Sequence, residues 1–379
     1  MRLKKKIMLI IALLIVFSGV SCSSQWSFLI RFAEKEFEIK KIDINESQYL
    51  KNGEGNCEGV PLEIILYQNG INTVNSIEII DQDQNVHAYS WGKIANEACI
   101  SKKGNIFLAG EVMKPEVITV IPSQYNDLHT SLLDIFPTTM SALDIEIDDG
   151  SYRKPLIEIN SNHVVLIFLD GFNYDHYISA LEKGLLAEFR HLEINEPVLT
   201  VFPPRTTVAT AAIITGKNPI NNGVFKSGIR QTSEKTMFDF CVENGLSVIS
   251  VEGESLPFNL TNSDVILSGD RDMNGGTDDN VFSNVVSTIE SGIPNLFYIH
   301  FHGIDDLGHT YGPDSAEVWE KIEEIDGYLS EIIQLLPEDC MVITFADHGM
   351  HDIGGEKDRG NHGNLIDEDM VVFINILIT

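Results

Sequence analysis

The chain has 379 residues, 43% of them hydrophobic, with 26 basic against 56 acidic side chains and a formal net charge of -30. It is too apolar to be disordered and too long for a disulfide miniprotein, and it leaves room for one large domain with a smaller one, or two of medium size. The acidity excludes general binding of nucleic-acid duplexes, because a polyanion repels phosphate backbones unless a basic patch or a bound metal intervenes.

Arg2, Lys4, Lys5 and Lys6 precede an apolar run at 7–17, the small residues at 18–21, and Cys22. That order describes a secretory signal over residues 1–21, with an apolar run short for a membrane span. Cys22 after small residues resembles a bacterial lipoprotein box, with lipid on the Cys22 thiol, although Gly19 stands where a larger aliphatic residue is usual. Simple cleavage and an uncleaved anchor are the alternatives. The expected protein is therefore extracytoplasmic, secreted or held at a membrane by a lipid anchor.

Residues 22–50 read as a tether running into a first strand. Over 51–125, short apolar runs alternate with turn signals, which predicts a small β-rich domain with strands near 62–67, 76–80 and 117–121. No CxxC spacing occurs, so a thiolate zinc site is not expected. Cys57–Cys99 and Cys241–Cys340 are pairings open beside free buried thiols.

Residues 126–379 have a different texture. Continuous apolar runs at Val164–Leu169, Leu296–Phe301 and Met341–Phe345 are what buried parallel strands require, and 246–251 is a further strand candidate. Helical segments are predicted at 178–192, at 208–214 closed by Gly216, and at 315–336 with Val318, Ile322, Ile325 and Leu329 on one stripe. Strands separated by helices imply an α/β fold with a parallel sheet.

Three of these strands lead into acids: Asp170, Asp305 and Asp347. In open parallel sheets, ligands bind outside the carboxyl ends of the strands. Three carboxylates gathered there repel one another unless cations neutralise them. His309 lies four residues after Asp305, His348 follows Asp347, and His362 sits in a Gly-Asn-His-Gly run. Mixed Asp/His ligation suits Zn2+ first, with Mn2+ or Fe less often. Pro203 and Pro204 set the start of the 208–214 helix, placing Thr206 or Thr207 at its N-terminus, where unpaired N–H groups favour an anion. A threonine there is ordinarily a helix cap, but beside a metal pair it becomes a candidate nucleophile.

Taken in order over about residues 160–375, these segments resemble the alkaline phosphatase superfamily, and most of all its type I phosphodiesterase/nucleotide pyrophosphatase branch. The matching runs are Asp170-Gly171-Phe172, Thr206 nine residues before Thr215-Gly216, Asp305–His309 followed by Tyr311-Gly312-Pro313-Asp314-Ser315, Asp347-His348-Gly349-Met350 and His362-Gly363. The resemblance implies an alkaline-phosphatase-like three-layer sandwich with a central, mostly parallel sheet. It implies one metal on Asp170, Thr206, Asp347 and His348, and a second on Asp305, His309 and His362. The implied activity is hydrolysis of phosphate mono- or diesters through a phospho-threonine at Thr206. Transfer of the phospho group to a glycan or lipid acceptor, and a non-catalytic metal-binding lipoprotein, are the rival readings.

Two departures qualify the resemblance. Ser227 stands where those relatives carry a phosphate-holding Asn, which makes Arg205, with Lys226 and Arg230 behind it, a candidate substitute. The 132–143 run also resembles a helix that relatives carry near their C-terminus, so a circular permutation using residues 127–147 is expected, with an ordinary linker helix as the alternative. Asp270–Asp278 opens like a Ca2+ loop, but Val281 occupies the position of the closing acid and favours a solvated turn. His300, His302 and His351 read as supporting or packing groups, and Glu252 as a weak substrate contact.

Overall fold

A computed structural model describes residues 26–40, 59–147, 150–187, 189 and 194–379. The signal segment, Cys22 and Cys57 lie outside the described residues.

The larger sheet has seven strands. Their order is Ile194–Leu199, Val371–Ile378, Met341–Phe345, Val164–Leu169, Leu296–Phe301, Val248–Glu252 and Asp264–Leu267. The last five run parallel, and Val371–Ile378 is antiparallel to both of its neighbours. Every residue of the three middle strands is buried, so both faces of the sheet are covered, as their unbroken apolar sequence demands. Val164–Leu169 lies between Leu296–Phe301 and Met341–Phe345 in matched register, Leu169 opposite Phe301 and Phe168 opposite Phe345. The three strands therefore end at one level, and the residues that follow them emerge together.

The predicted helices form, with adjusted bounds. Ser315 caps Ala316–Leu335, which buries Val318, Ile322, Ile325 and Leu329. Thr206–Thr215 ends at left-handed Gly216. The helix expected at 178–192 is instead Tyr174–Glu182, begun by Asn173, whose side chain accepts from the His176 amide. The segment 127–147 starts with a capping box at Ser131 and Asp134 and continues into Ile135–Ala142. Leu132, Ile135, Phe136 and Met140 are buried in the larger core, and Ser131 bridges to Leu199 on the edge strand.

Two smaller sheets precede this core. The five-stranded one runs Lys35–Lys40, Ser27–Phe32, Pro115–Pro122, Val74–Asp81, Val86–Ser90, and a four-stranded one joins Val60–Pro61, Cys99–Ile100, Ile106–Leu108 and Glu111–Met113. The reading of 22–50 as a tether is corrected, because residues 27–40 form a hairpin whose Phe28, Ile30 and Ile39 are buried. The strand expected at 62–67 is a helix, Leu62–Gln68, that buries Leu62, Ile64, Ile65 and Leu66. A short run buried all round carries no alternation that separates the two. Phe202, Leu365, Ile366 and Met370 complete the smaller core, and Glu63 accepts from the Leu365 amide at 2.6 Å.

Cys99 is disulfide-bonded. The Cys241–Cys340 pairing does not form. Both thiols are free and buried, Cys241 on Met237–Glu243 and Cys340 just before a central strand, with its Sγ turned to the His163 carbonyl. Burial pushes each thiol up to about 12. No helix among the described residues is long and apolar enough to cross a membrane.

Candidate metal centre

Asp170 directly follows Val164–Leu169 and is buried in the turn that Gly171 makes at φ 72°. A Cβ on Gly171 would stand 2.8 Å from the Asp305 Cβ, so only glycine allows both the turn and this close approach. Asp305 and His309 lie one turn apart on the helix Gly303–Tyr311, which puts them on one face. Asp347 and His348 follow Met341–Phe345, and His362 follows the two-residue strand Gly360–Asn361. Thr206 is the first residue of its helix, with Arg205 at the cap position.

These residues, scattered over almost two hundred positions of sequence, converge. Thr206 Oγ1 lies 3.1 Å from His348 Nε2 and donates to Asp170 Oδ1 at 3.4 Å. His348 Nε2 is 3.5 Å from Asp170 Oδ1 and 3.3 Å from Asp347 Oδ2. Asp305 Oδ2 faces His309 Nε2 at 3.4 Å, and its Oδ1 faces His362 Nε2 at 3.9 Å. The His348 and His362 rings stack at 3.8 Å, so Asp305, His348 and His362 form a second gathering beside Asp170, Asp347 and His348. Thr207, the other threonine of the pair, turns away and donates to the Pro257 carbonyl at 3.1 Å.

The donor set fits cations. His309, His348 and His362 each place Nδ1 on a backbone carbonyl, of Gly360, Gly349 and Pro204, at 3.0, 3.0 and 2.9 Å. A carbonyl only accepts, so each Nδ1 carries a proton and each Nε2 is the nitrogen turned to the carboxylate oxygens; lowered as they are, His348 and His362 present lone pairs there. Asp305 Oδ1 and Asp347 Oδ2 are buried and, among the described residues, have no hydrogen-bond partner. Lone pairs facing lone pairs in a dry site call for positive charge between them. The electrostatics of these groups agree. Burial, and then the charge of Asp170, push Asp305 and Asp347 well above the usual carboxylate range. Burial lowers His348 to about 4, and burial with the neighbouring His348 lowers His362 to about 2.

Glu252, His300 and His302 stand closer to this centre than their sequence context suggests. Glu252 ends Val248–Glu252, the strand beside Leu296–Phe301, and is wholly buried. His300 Nδ1 meets Glu252 Oε2 at 2.9 Å and its Nε2 meets Asp170 Oδ2 at 3.1 Å. His302 lies 3.3 Å from Glu252 Oε2 and 3.5 Å from Asp170 Oδ2. Burial opposes the charge of Asp170, but these two imidazoles outweigh it and hold Asp170 well below the ordinary range. Glu252 is thus packed behind a candidate ligand, not set to touch substrate. The available signal was a His-x-His at the end of an apolar strand, whose partner can be named only once the strand order is known.

The remaining candidates separate. The guanidinium of Arg205 lies against Gly363, beside His362, at 3.2 Å from where a Cβ would stand. Ser227 is half-buried in the loop after Pro219–Asn222, and among the described residues no hydrogen bond joins it to the Asp/His set. His351 pairs with buried Asp369 at 2.8 Å. Over Asp270–Asp278 the expected turn forms. Asp278 is buried and accepts from the amides of His302 and Gly303 at 3.0 Å each, while Asp270 closes a turn on the amides of Asn274 and Gly275.

A parallel α/β sheet with three acids and three imidazoles at its carboxyl edge, beside a hydroxyl at a helix start, defines a candidate phosphoester-acting metal centre. The sequence profile of the family "type I phosphodiesterase / nucleotide pyrophosphatase" matches residues 164–265 and 250–373, more than half of the chain, and the chain belongs to that family. Curated relatives include GPI ethanolamine phosphate transferase 3 of Eremothecium gossypii, 39% identical over 64 residues, which are 17% of this chain and 6% of that one. GPI ethanolamine phosphate transferase 1 of Schizosaccharomyces pombe is 40% identical over 77 residues, 18% of this chain and 8% of that one. The chain therefore spans less than a tenth of the length of these relatives. Among solved structures, murine ectonucleotide pyrophosphatase / phosphodiesterase 5 superposes with a TM-score of 0.45 at 14% identity, over 56% of this chain and 87% of the other.

Proposed function

We propose that this protein is a two-metal phosphohydrolase that cleaves phosphate mono- or diesters through a phospho-threonine at Thr206. The observation that carries this reading is the position of the Thr206 hydroxyl, 3.1 Å from His348 Nε2 and within reach of Asp170 Oδ1. Asp170, Thr206, Asp347 and His348 would hold one divalent cation, most readily Zn2+, and Asp305, His309 and His362 the other. Such cations supply charge neutralisation for the transferring phosphoryl group and for the oxygens entering and leaving it.

The chain's own part is positioning. The helix beginning at Thr206 points its free N–H groups at an incoming phosphate. Thr206 Oγ1 attacks phosphorus in line while the ester P–O bond breaks, and the hydroxyl proton leaves to solvent. The leaving alkoxide takes a proton from solvent. Water then attacks the phospho-threonine, freeing phosphate or its monoester and restoring the hydroxyl. Arg205, beside His362 and Gly363, is placed to pair with a non-bridging phosphate oxygen, whereas Ser227 has only its sequence position in support.

A second reading, transfer of the group to a glycan or lipid hydroxyl in place of water, is favoured by the match to ethanolamine phosphate transferases. The basic, apolar and small residues at 1–21 followed by Cys22 support an extracytoplasmic, lipid-anchored placement, with residues 126–379 as the catalytic unit. The test is hydrolysis of aryl phosphate mono- and diesters by wild type and Thr206→Ala, with metal analysis of both. Loss of turnover by roughly 10³-fold or more with metal retained is expected. Equal turnover by the variant overturns the assignment of Thr206, and acceptor product without net hydrolysis selects the transferase.

A further inference from the structure

Asp170 has two carboxylate oxygens, and they face different company. Oδ1 faces Thr206 and His348, at 3.4 and 3.5 Å. Oδ2 faces His300 Nε2 and His302 Nδ1, at 3.1 and 3.5 Å. Behind these two rings lies a single carboxylate oxygen, Glu252 Oε2, which meets His300 Nδ1 at 2.9 Å and His302 Nε2 at 3.3 Å. The rings themselves lie 3.7 Å apart. One carboxylate thus collects the far nitrogens of both imidazoles, and both near nitrogens point at one oxygen of Asp170. A carboxylate accepting the far N–H of a histidine is the usual support of a metal-ligating imidazole, because it fixes the tautomer and bares the near lone pair. Two such nitrogens and a carboxylate oxygen, mutually within 4.8 Å, are three donor atoms directed at one point.

Two other features serve the same point. Gly253 bears no side chain where a Cβ would stand 2.9 Å from His302 Cδ2, so the ring tucks in only because glycine follows Glu252. A cavity of about 260 Å³ reaches His302 from outside and is lined by Glu254, Asp270 and Asp306 among others. Acids along such a passage raise the local concentration of cations and give an ion a way in.

We infer that Asp170, His300 and His302 form a third divalent-cation site, with Glu252 orienting both imidazoles and Asp170 shared with the centre at Thr206. The inference deepens the two-metal reading through Asp170 alone. Its ligands His300 and His302 and its support Glu252 take no part in the other two sites. Its consequence is structural: an ion on Oδ2 fixes the Asp170 carboxylate with Oδ1 aimed at Thr206.

The test is metal stoichiometry on the full chain, stripped by chelator and dialysed against Zn2+, with an anomalous-scattering map at the zinc edge. Three ions per chain in wild type, two in His302→Leu, and an anomalous peak bonded to Asp170 Oδ2, His300 Nε2 and His302 Nδ1 are expected. Glu252→Gln keeps the volume and should weaken the third ion by about 10–100-fold while leaving the other two. Two ions in wild type with no peak at this point would mean that protons, not an ion, reconcile the rings with Asp170, and would overturn the inference while leaving the two-metal reading standing. Three ions in both wild type and His302→Leu would place the extra one elsewhere and overturn it equally. A peak here alone would uphold this site and sink the two-metal reading. The wild-type map needs no variant, so a misfolded substitution does not shelter the claim.

Discussion

The two halves of the Asp/His cradle are held differently. Asp347 and His348 have fully buried side chains and follow a central strand, whereas His309 keeps 40% of its side chain exposed and stands on a helix at the rim. The buried half is placed by the sheet itself, so its geometry is as firm as the core. The open half is placed by a helix and by the loop carrying His362, and His309 is its exposed member. A buried ligand set binds tightly and exchanges slowly, while the rim set is expected to lose its ion first.

The largest effect should come from breaking the buried half. Asp347→Asn removes a charge from the ion shared with Thr206, and turnover of any phosphoester substrate should fall by roughly 10³-fold or more in steady-state assays. His309→Ala, on the open half, should weaken one ion by about 10–100-fold, with activity restored by added metal. If excess metal rescues Asp347→Asn and not His309→Ala, the contrast between the halves is wrong.

Stripping the ions should lower the melting temperature by about 5–10 °C for each ion bound at a hundredfold excess over its Kd. The loss should deepen with pH. In the bare protein Asp305 and Asp347 are pushed well above their ordinary range. Such acids stay protonated on folding and contribute stability that is full at low pH and lost as pH rises through their folded values. Melting curves with and without chelator at several pH values check this, and a gap that narrows as pH rises contradicts it.

A smaller effect separates the site from the seam with the smaller sheets. Burial raises Glu63 to about 8, although its Oε1 accepts from the Leu365 amide. Its unfolded value is near 4.5, so the folded chain holds the extra proton and stability falls as pH climbs from about 4.5 to about 8. Glu63→Gln keeps an oxygen for the Leu365 amide and removes the titration. It should flatten that slope in denaturant unfolding and leave metal content unchanged.

The two regions also differ in how far they could be read from sequence. Val164–Leu169, Leu296–Phe301 and Met341–Phe345 were legible because strands buried on both faces are continuously apolar, and the acids after them inherit a known place at the sheet edge. Spacing favours Thr206 over Thr207, and in the structure the Thr207 hydroxyl donates to the Pro257 carbonyl. The hairpin at 27–40 was obscured by the charges on its outward positions, and Leu62–Gln68 by a run too short to show a period. The role of Glu252 is not legible in sequence, because its partners His300 and His302 lie at the end of a strand that begins 44 residues later, and only the crossover order of the sheet brings them together.

The most direct measurement is peptide mapping by mass spectrometry after acid quench of the metal-loaded protein with an aryl phosphate ester. The account predicts a phosphoryl or phosphoester group on Thr206, absent in Thr206→Ala and in unreacted protein. Turnover with Thr206 unmodified at every quench time, matched by undiminished turnover in Thr206→Ala, would contradict it.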